Sequence, residues 1–401
     1  LNSELLGRFK SADEPIEGGG LLANAFPYEL PFSFFQYWRA RQVVNDVREK
    51  FGSLPSENVF NVSVDSPEVV VLVIGESSSR RAWHLFDSEV EMTTPLLESR
   101  LHVRGLYPLS NVIAQSVSTR QSVPSMLTSQ PLIWPDGTAN ENATQSIVSA
   151  AANAGYMTAW FSNQAAVGEH DGVVSTYAQE AHISAFLNPS GFWMKGSYDD
   201  VLLMPLERYL RNNVRVFVVM HTMGSHFDFS HRYPPGFGVF PFAEGVKETY
   251  LNSISYTDWF LEQVILMLER DGRSAVLLYA SDHGQGLPGG ECKRDRINRL
   301  SREAYEVPVF IWLSRSYESS HPAVAGLLKK NENFPYTLAA IPQTVVDLVN
   351  GVAVFGKGCE DKQSFLRVQF GDSPQSIAIA PGRWVDFRRA VLRNPCSLFI
   401  D

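Results

Sequence analysis

The chain has 401 residues, room for one large α/β domain or two smaller ones, and its 44% hydrophobic and 19% charged residues exclude a disordered polymer. Its formal net charge is −9, from 34 Lys and Arg against 43 Asp and Glu with no basic block, which excludes the clustered positive surface that a nucleic-acid partner requires. Three cysteines, Cys292, Cys359 and Cys396, with no CxxC pair, exclude a disulfide scaffold and a cysteine-based zinc or redox centre.

At most one bridge is available, and Cys359 with Cys396, both near the C-terminus, is the candidate pair. No run of 18 apolar residues occurs, and residues 1–20 lack the basic start and apolar centre of a secretion signal, so the chain as given reads as soluble. It begins without Met, and the expectation is a fragment whose targeting segment or membrane anchor has been cut away.

Residues 1–65 combine Gly18, Gly19 and Gly20, the aromatic stretch PYELPFSFFQYWRARQ and a charged, helical run ending near Phe51. Clustered Phe, Tyr and Trp fit either ordinary core or an amphipathic surface at a membrane interface, and a connector helix close to a bilayer is the reading adopted. From residue 69 the pattern changes to short apolar runs: VVVLVI (69–74), MTAWFS (157–162), VFVVM (216–220), AVLLYA (275–280) and VPVFIWLS (307–314). Such runs are strands buried on both faces, and the helical stretches 143–154, 246–269 and 336–349 alternate with them. The expected fold is an α/β/α sandwich with a largely parallel central sheet, residues 66–355 forming the main α/β domain and 356–401 a C-terminal extension packed on it. Ligands of such sheets gather beyond the C-terminal strand ends, where the surface loops 232–244 and 284–304 are also expected.

The chemistry-bearing residues fall at those ends. The first strand exits into Gly75-Glu76-Ser77-Ser78-Ser79-Arg80, where Glu76 is a metal ligand or merely precedes a helix cap. Ser118-Thr119-Arg120-Gln121-Ser122-Val123-Pro124 leads into a helix; a hydroxyl there is either an N-cap or a nucleophile whose phosphoryl partner meets helix N–H groups. The third strand gives His221, then Gly224-Ser225-His226, Asp228 and His231. So many imidazoles exceed what core packing tolerates, and His226, in the loop, is the functional candidate. The fourth ends in Ser281-Asp282-His283-Gly284, an oxygen and nitrogen pair that zinc or manganese accepts, or else a turn with a satisfied core histidine.

Taken in order, GES(S)SR, TTP, STRQSVP, SNQ, HTMGSH…RYP, SDHG and VPVFIWLS resemble the periplasmic domain of the phosphoethanolamine transferases, enzymes of the alkaline phosphatase and sulfatase type. The resemblance spans about residues 69–315. It implies Glu76, Thr119, Asp282 and His283 as zinc ligands, with Thr119 also the residue that becomes phosphoethanolaminylated. It implies a substrate-pocket or second-metal role for His226, and places Asn163, Gln164 and Arg80 in the substrate region. One zinc site is implied and a second is left open, since no histidine lies between His283 and His321; nor does Ser116–Ser125 carry a cysteine. The spacing of Glu76 to Arg80 and the SNQ element look more like the members that modify lipopolysaccharide core sugars than those that modify lipid A.

The reaction so implied moves phosphoethanolamine from phosphatidylethanolamine to a lipopolysaccharide or other glycan acceptor in two steps through Thr119, with His226 or a neighbour supplying the leaving group's proton. The implied setting is the periplasmic face of a bacterial inner membrane, reached through an absent N-terminal membrane region, with a monomeric catalytic domain. Rival readings are a phosphoglycerol transferase, phosphodiesterase or sulfatase of the same type, and, from a different class, a non-catalytic module that binds envelope glycolipids. Sulfatases require a Cys or Ser in a CxPxR-type element, and Ser122-Val123-Pro124-Ser125-Met126 lacks the Arg.

Overall fold

In the computed structural model the apolar runs become the strands of one sheet. The residues described are 54–55, 59–103, 105–165, 172–188, 197–240, 245–287, 291–292, 300–351, 363–367, 375–380 and 382–398. The expected connector helix and aromatic stretch before Phe51, and Cys359, lie outside them. Among the described residues no helix is long and apolar enough to cross a membrane.

The strands are β1 (Val69–Gly75), β2 (Leu106–Pro108), β3 (Val112–Ile113), β4 (Met157–Ser162), β5 (Ile183–Phe186), β6 (Val216–His221), β7 (Ala275–Ser281) and β8 (Val309–Leu313). Seven of them form the central sheet in the order β2-β8-β7-β1-β6-β4-β5. Strands β7, β1, β6, β4 and β5 run parallel. Strand β8 runs antiparallel to β7, and β2 antiparallel to β8. The α/β class with a mostly parallel sheet is therefore as expected, while the run 307–314 is shorter than anticipated and reversed in direction. Two edge strands, β2 and β5, carry no long apolar run. Val69, Val70 and Val71 suit the pleat because β-branched side chains lose rotamer freedom in a helix and pack well on a pleated surface, and helices on both sides bury every residue of β1.

Alternation along the strands separates two cores. Val70, Leu72, Ile74, Trp160, Phe217, Val219, Val276, Leu278 and Ala280 face one, shared with Val123, Met126 and Leu127 of the helix Thr119–Leu127. Val71, Val73, Ala159, Val218 and Leu277 face the other, covered by the long helix Val246–Asp271. Continuing the first alternation past the strand ends carries Glu76 and Asp282 toward the side where the helix Thr119–Leu127 packs.

Helix boundaries follow local chemistry. The helix expected from 143 starts at Ile147 because Ser146 caps it, accepting from Val148 N at 3.0 Å. That expected from 336 starts at Ile341, with Pro342 in its first turn. The Ser146 end is also held by Glu180, which accepts from Ser146 N at 3.1 Å, Ser146 Oγ at 2.8 Å and Ser149 N at 3.2 Å. Burial pushes this carboxyl from 4.5 up to about 7. The folded protein thus holds a proton that the unfolded chain releases, so this contribution is full below about pH 4.5 and is lost as pH rises through about 7. Glu180→Gln should flatten that loss, on the order of 2 kcal/mol, in urea unfolding at pH 5 and pH 8; an unchanged pH slope would sink the assignment.

Gly75 is required by packing. A Cβ there would lie 2.5 Å from Tyr279 Oη and 2.9 Å from its Cζ, and the ring is locked between Trp83 and Phe310 at centroid distances of 5.2 and 5.3 Å. Gly75→Ala is expected to lower stability by roughly 1–3 kcal/mol, as overpacking does. Combining it with Tyr279→Phe, which removes the nearest atom, should recover part of the loss in denaturant midpoints.

The disulfide differs from expectation. Cys396 pairs with Cys292, their Cα atoms 5.3 Å apart, not with Cys359. The cause is tertiary: residues 395–398 run beside 300–302, with Arg302 N donating to Pro395 O at 2.8 Å and Leu398 N to Leu300 O at 3.0 Å. That brings Cys396 to the loop following Asp282 and His283.

Candidate metal centre and nucleophile

Strands β1 and β7 are neighbours in register, Gly75 opposite Ser281, so the residues that follow them emerge side by side. Asp282 N donates to Gly75 O at 3.0 Å, prolonging the ladder by one bond. Ser77 then turns the chain with a positive φ of 55°, uncommon for a residue bearing a Cβ. This conformation lets Ser77 join both acids: its hydroxyl donates to Glu76 Oε1 at 2.7 Å and its N–H to Asp282 Oδ1 at 3.2 Å.

Ligand-type atoms of Glu76, Asp282 and His283 all lie within 4.8 Å of one another, and the three residues are buried. His283 Nε2 is 3.4 Å from Glu76 Oε1 and 3.7 Å from Asp282 Oδ2. The ring is oriented by its other nitrogen, since Nδ1 donates to Gly284 O at 2.8 Å, which fixes the tautomer with the lone pair on Nε2. Asp282 Oδ1 also accepts from His283 N at 2.7 Å, whereas Asp282 Oδ2 is buried with no hydrogen-bond partner.

Electrostatics sharpen the picture. Burial raises both carboxyls, but Glu76 is drawn down to about 2 by His283, His226, the Ser77 hydroxyl and His221. Asp282 is pushed well above the usual carboxylate range by burial and then by the charge of Glu76. Two adjacent buried acids with an orphaned oxygen and an aimed imidazole are a donor set that a divalent cation completes, and its mixed oxygen and nitrogen atoms suit zinc.

Thr119 begins its helix directly above this group. Ser118 is extended at the cap position, and the Thr119 hydroxyl donates to Glu76 Oε2 at 2.9 Å. The helix is tied down one turn later, where Ser122 Oγ donates to Asp282 O at 2.6 Å. Gln164 reaches in from the end of β4, its Nε2 donating to Glu76 Oε2 at 3.3 Å and to Thr222 O at 2.8 Å.

The remaining expected residues take several positions. His226 lies within charge range of Glu76, and its Nδ1 donates to Phe227 O at 2.6 Å. Burial lowers its pKa from the ordinary 6.5, so the neutral ring is favoured. Asn163 is one step behind Gln164, donating to Asp199 Oδ1 at 2.8 Å. Arg80 is engaged by Glu306, 3.4 Å from its carboxylate. His221 is a core histidine, set edge-on to Trp160 at 5.9 Å, and Asp228 caps a short turn by accepting from Ser230 N at 3.1 Å. The crowding of histidines after β6 therefore has partly structural causes. Ser77, Ser122 and Asp199 were not legible as site residues, because their bonds to Asp282 and to residues 163, 223 and 224 form only through tertiary contact.

A family model described as sulfatase matches residues 68–352. The phosphoethanolamine transferase EptC of Escherichia coli is 24% identical over 372 residues, covering 88% of this chain and 63% of its own length. CptA of Salmonella typhimurium, also named a phosphoethanolamine transferase, is 26% identical, covering 79% of this chain and 57% of its own length. The chain thus spans about three fifths of these curated relatives. Among solved structures, the C-terminal periplasmic domain of Escherichia coli EptC in complex with Zn superposes with a TM-score of 0.71 at 22% identity, covering 83% of this chain and 97% of that one.

Proposed function

The chain belongs to the sulfatase family, and from that membership and the geometry of its site we propose that it transfers phosphoethanolamine from phosphatidylethanolamine to a lipopolysaccharide or related envelope glycan, with Thr119 as nucleophile. The observation that carries the reading is the Thr119 hydroxyl, 2.9 Å from Glu76 at the start of a helix and directly over the Glu76, Asp282 and His283 cluster. The transferase names of EptC and CptA supply the group transferred.

Glu76, Asp282, His283 and Thr119 would hold zinc, as the orphaned Asp282 Oδ2 and the oriented His283 ring favour. When bound, zinc supplies the positive charge that acidifies a hydroxyl and offsets charge on phosphoryl oxygens. Thr119 Oγ1 attacks phosphorus, the bond from phosphorus to the diacylglycerol oxygen breaks, and phosphoethanolamine becomes esterified to Thr119. Glu76 orients the attacking hydroxyl, and the N-terminus of the Thr119 helix receives the negative phosphoryl oxygens. The neutral His226 ring takes the proton that the Thr119 hydroxyl loses and delivers it to the departing diacylglycerol oxygen, and in the second step an acceptor hydroxyl or phosphate bonds phosphorus while the Thr119 ester bond breaks and Thr119 Oγ1 regains a proton.

The setting proposed is the periplasmic side of the inner membrane, where a Cys292–Cys396 disulfide persists and the lipid donor is at hand. The test is peptide mass spectrometry of the zinc-loaded protein after exposure to vesicles of phosphatidylethanolamine or of phosphatidylglycerol. A phosphoethanolamine adduct on Thr119 from the first vesicles alone is the expected result. A phosphoglycerol adduct from the second would reassign the donor, and an adduct on another residue would overturn the nucleophile.

A further inference from the structure

We infer that Asp199 is the positioning residue that sets Glu76 for metal binding, acting through the backbone of residues 222–225 and through Gln164. The inference rests on the metal reading of the site. Asp199 opens a short turn, Asp199–Leu202, and is 3% exposed. Its carboxylate spans two consecutive amides: Oδ1 accepts from Met223 N at 2.7 Å and Oδ2 from Gly224 N at 2.9 Å. Oδ1 accepts in addition from Asn163 Nδ2 at 2.8 Å. Only an acid offers two acceptor oxygens to such a pair; an amide of the same shape presents one acceptor and one donor.

The loop so gripped is in contact with Glu76. Gly224 has a φ of +50°, and a Cβ there would stand 2.7 Å from Glu76 O and 2.8 Å from Glu76 N, so the two backbones touch. Ser225 N donates to Glu76 O at 2.9 Å. A second route runs through Asn163 to its neighbour Gln164, which bridges Glu76 Oε2 and Thr222 O. Asp199 thus governs the main chain of Glu76 by one path and its carboxylate by the other. The far end of the loop is held by Arg232, whose Nε donates to His226 O at 2.9 Å and Asp228 O at 3.2 Å and whose charge is within range of Asp199.

A carboxylate that only filled a polar pocket would change stability and nothing else, which separates the two roles. The experiment titrates metal-free wild type, Asp199→Asn and Asp199→Ala with Co2+, read by its visible absorption, and with Zn2+ by calorimetry. The expected result is binding weaker by about ten- to a hundredfold in both variants with an altered Co2+ spectrum, the range seen when an outer-shell partner is lost. In transfer assays at saturating Zn2+, kcat falls while KM for the lipid donor stays level. Variants that bind Co2+ with the wild-type affinity and spectrum overturn the inference while leaving the metal centre intact. Wild type that binds neither metal overturns the metal reading and the inference with it. Should Asp199→Asn melt below the assay temperature, the rise in its melting temperature with saturating Zn2+ is compared with the wild-type rise; an equal rise overturns the inference and a smaller one supports it.

Discussion

Thr119→Ala is expected to abolish the covalent adduct and to lower transfer on the order of a thousandfold or more, the scale on which loss of a nucleophile acts. The protein should remain folded. Thr119 is the first residue of its helix and half-buried, and its hydroxyl serves the carboxylates of Glu76 and Asp282, so its removal costs about 1 kcal/mol. Helix attachment is untouched, because Ser122 Oγ still bonds Asp282 O and Val123, Met126 and Leu127 stay in the core. Thr119→Ser is the informative companion. It keeps the oxygen and loses the methyl that restricts χ1, so the adduct should form but at a rate reduced by up to about a hundredfold through misplacement. Transfer by Thr119→Ala at anything near the wild-type rate, measured with radiolabelled phosphatidylethanolamine, would remove Thr119 from the mechanism.

Chelation should silence transfer, and Asp282→Asn should make that loss permanent while stabilising the metal-free protein. Without a cation, burial and the charge of Glu76 hold Asp282 well above the carboxylate range, so the ligand set retains a proton. Metal binding must expel it, and affinity falls as pH falls because protons compete for Asp282 and for the His283 ring. Asparagine keeps Oδ1 as acceptor for Ser77 N and His283 N and replaces the orphaned Oδ2 with a donor. The chelated variant is therefore expected to melt higher than chelated wild type. Added Zn2+ should raise the wild-type melting temperature, since a ligand bound only by the native state stabilises by RT ln(1 + [L]/Kd), and should raise that of Asp282→Asn far less. Full activity after exhaustive dialysis against a chelator, or an equal Zn2+ response in both proteins, would defeat the metal assignment.

The sheet was readable where burial on both faces forces a continuous apolar run, as in Val69–Gly75 and Ala275–Ser281. Edge strands escape that requirement. Leu106–Pro108 has three residues, and Ile183–Phe186 has no fully buried side chain, so neither leaves a signature. The direction of Val309–Leu313 was likewise hidden, because an apolar run is the same read either way. The meeting of Glu76 with the Asp282-His283 pair was visible for a topological reason: both follow the ends of parallel strands, and such ends converge on one edge.

What sequence determined by itself was that Glu76 and the Asp282-His283 pair follow apolar strands whose ends share one edge; adding Thr119 to them rested on the resemblance to the phosphoethanolamine transferases. Tertiary structure alone decided the rest. It paired Cys292 with Cys396 across a separation of 104 residues, buried His221 against Trp160, committed Arg80 to Glu306, and brought Asp199 under Gly224. None of these carries a local period or motif. Each depends on where distant segments meet once both faces of the sheet are covered, and hydrogen bonds and disulfides form only after packing has brought their partners within reach.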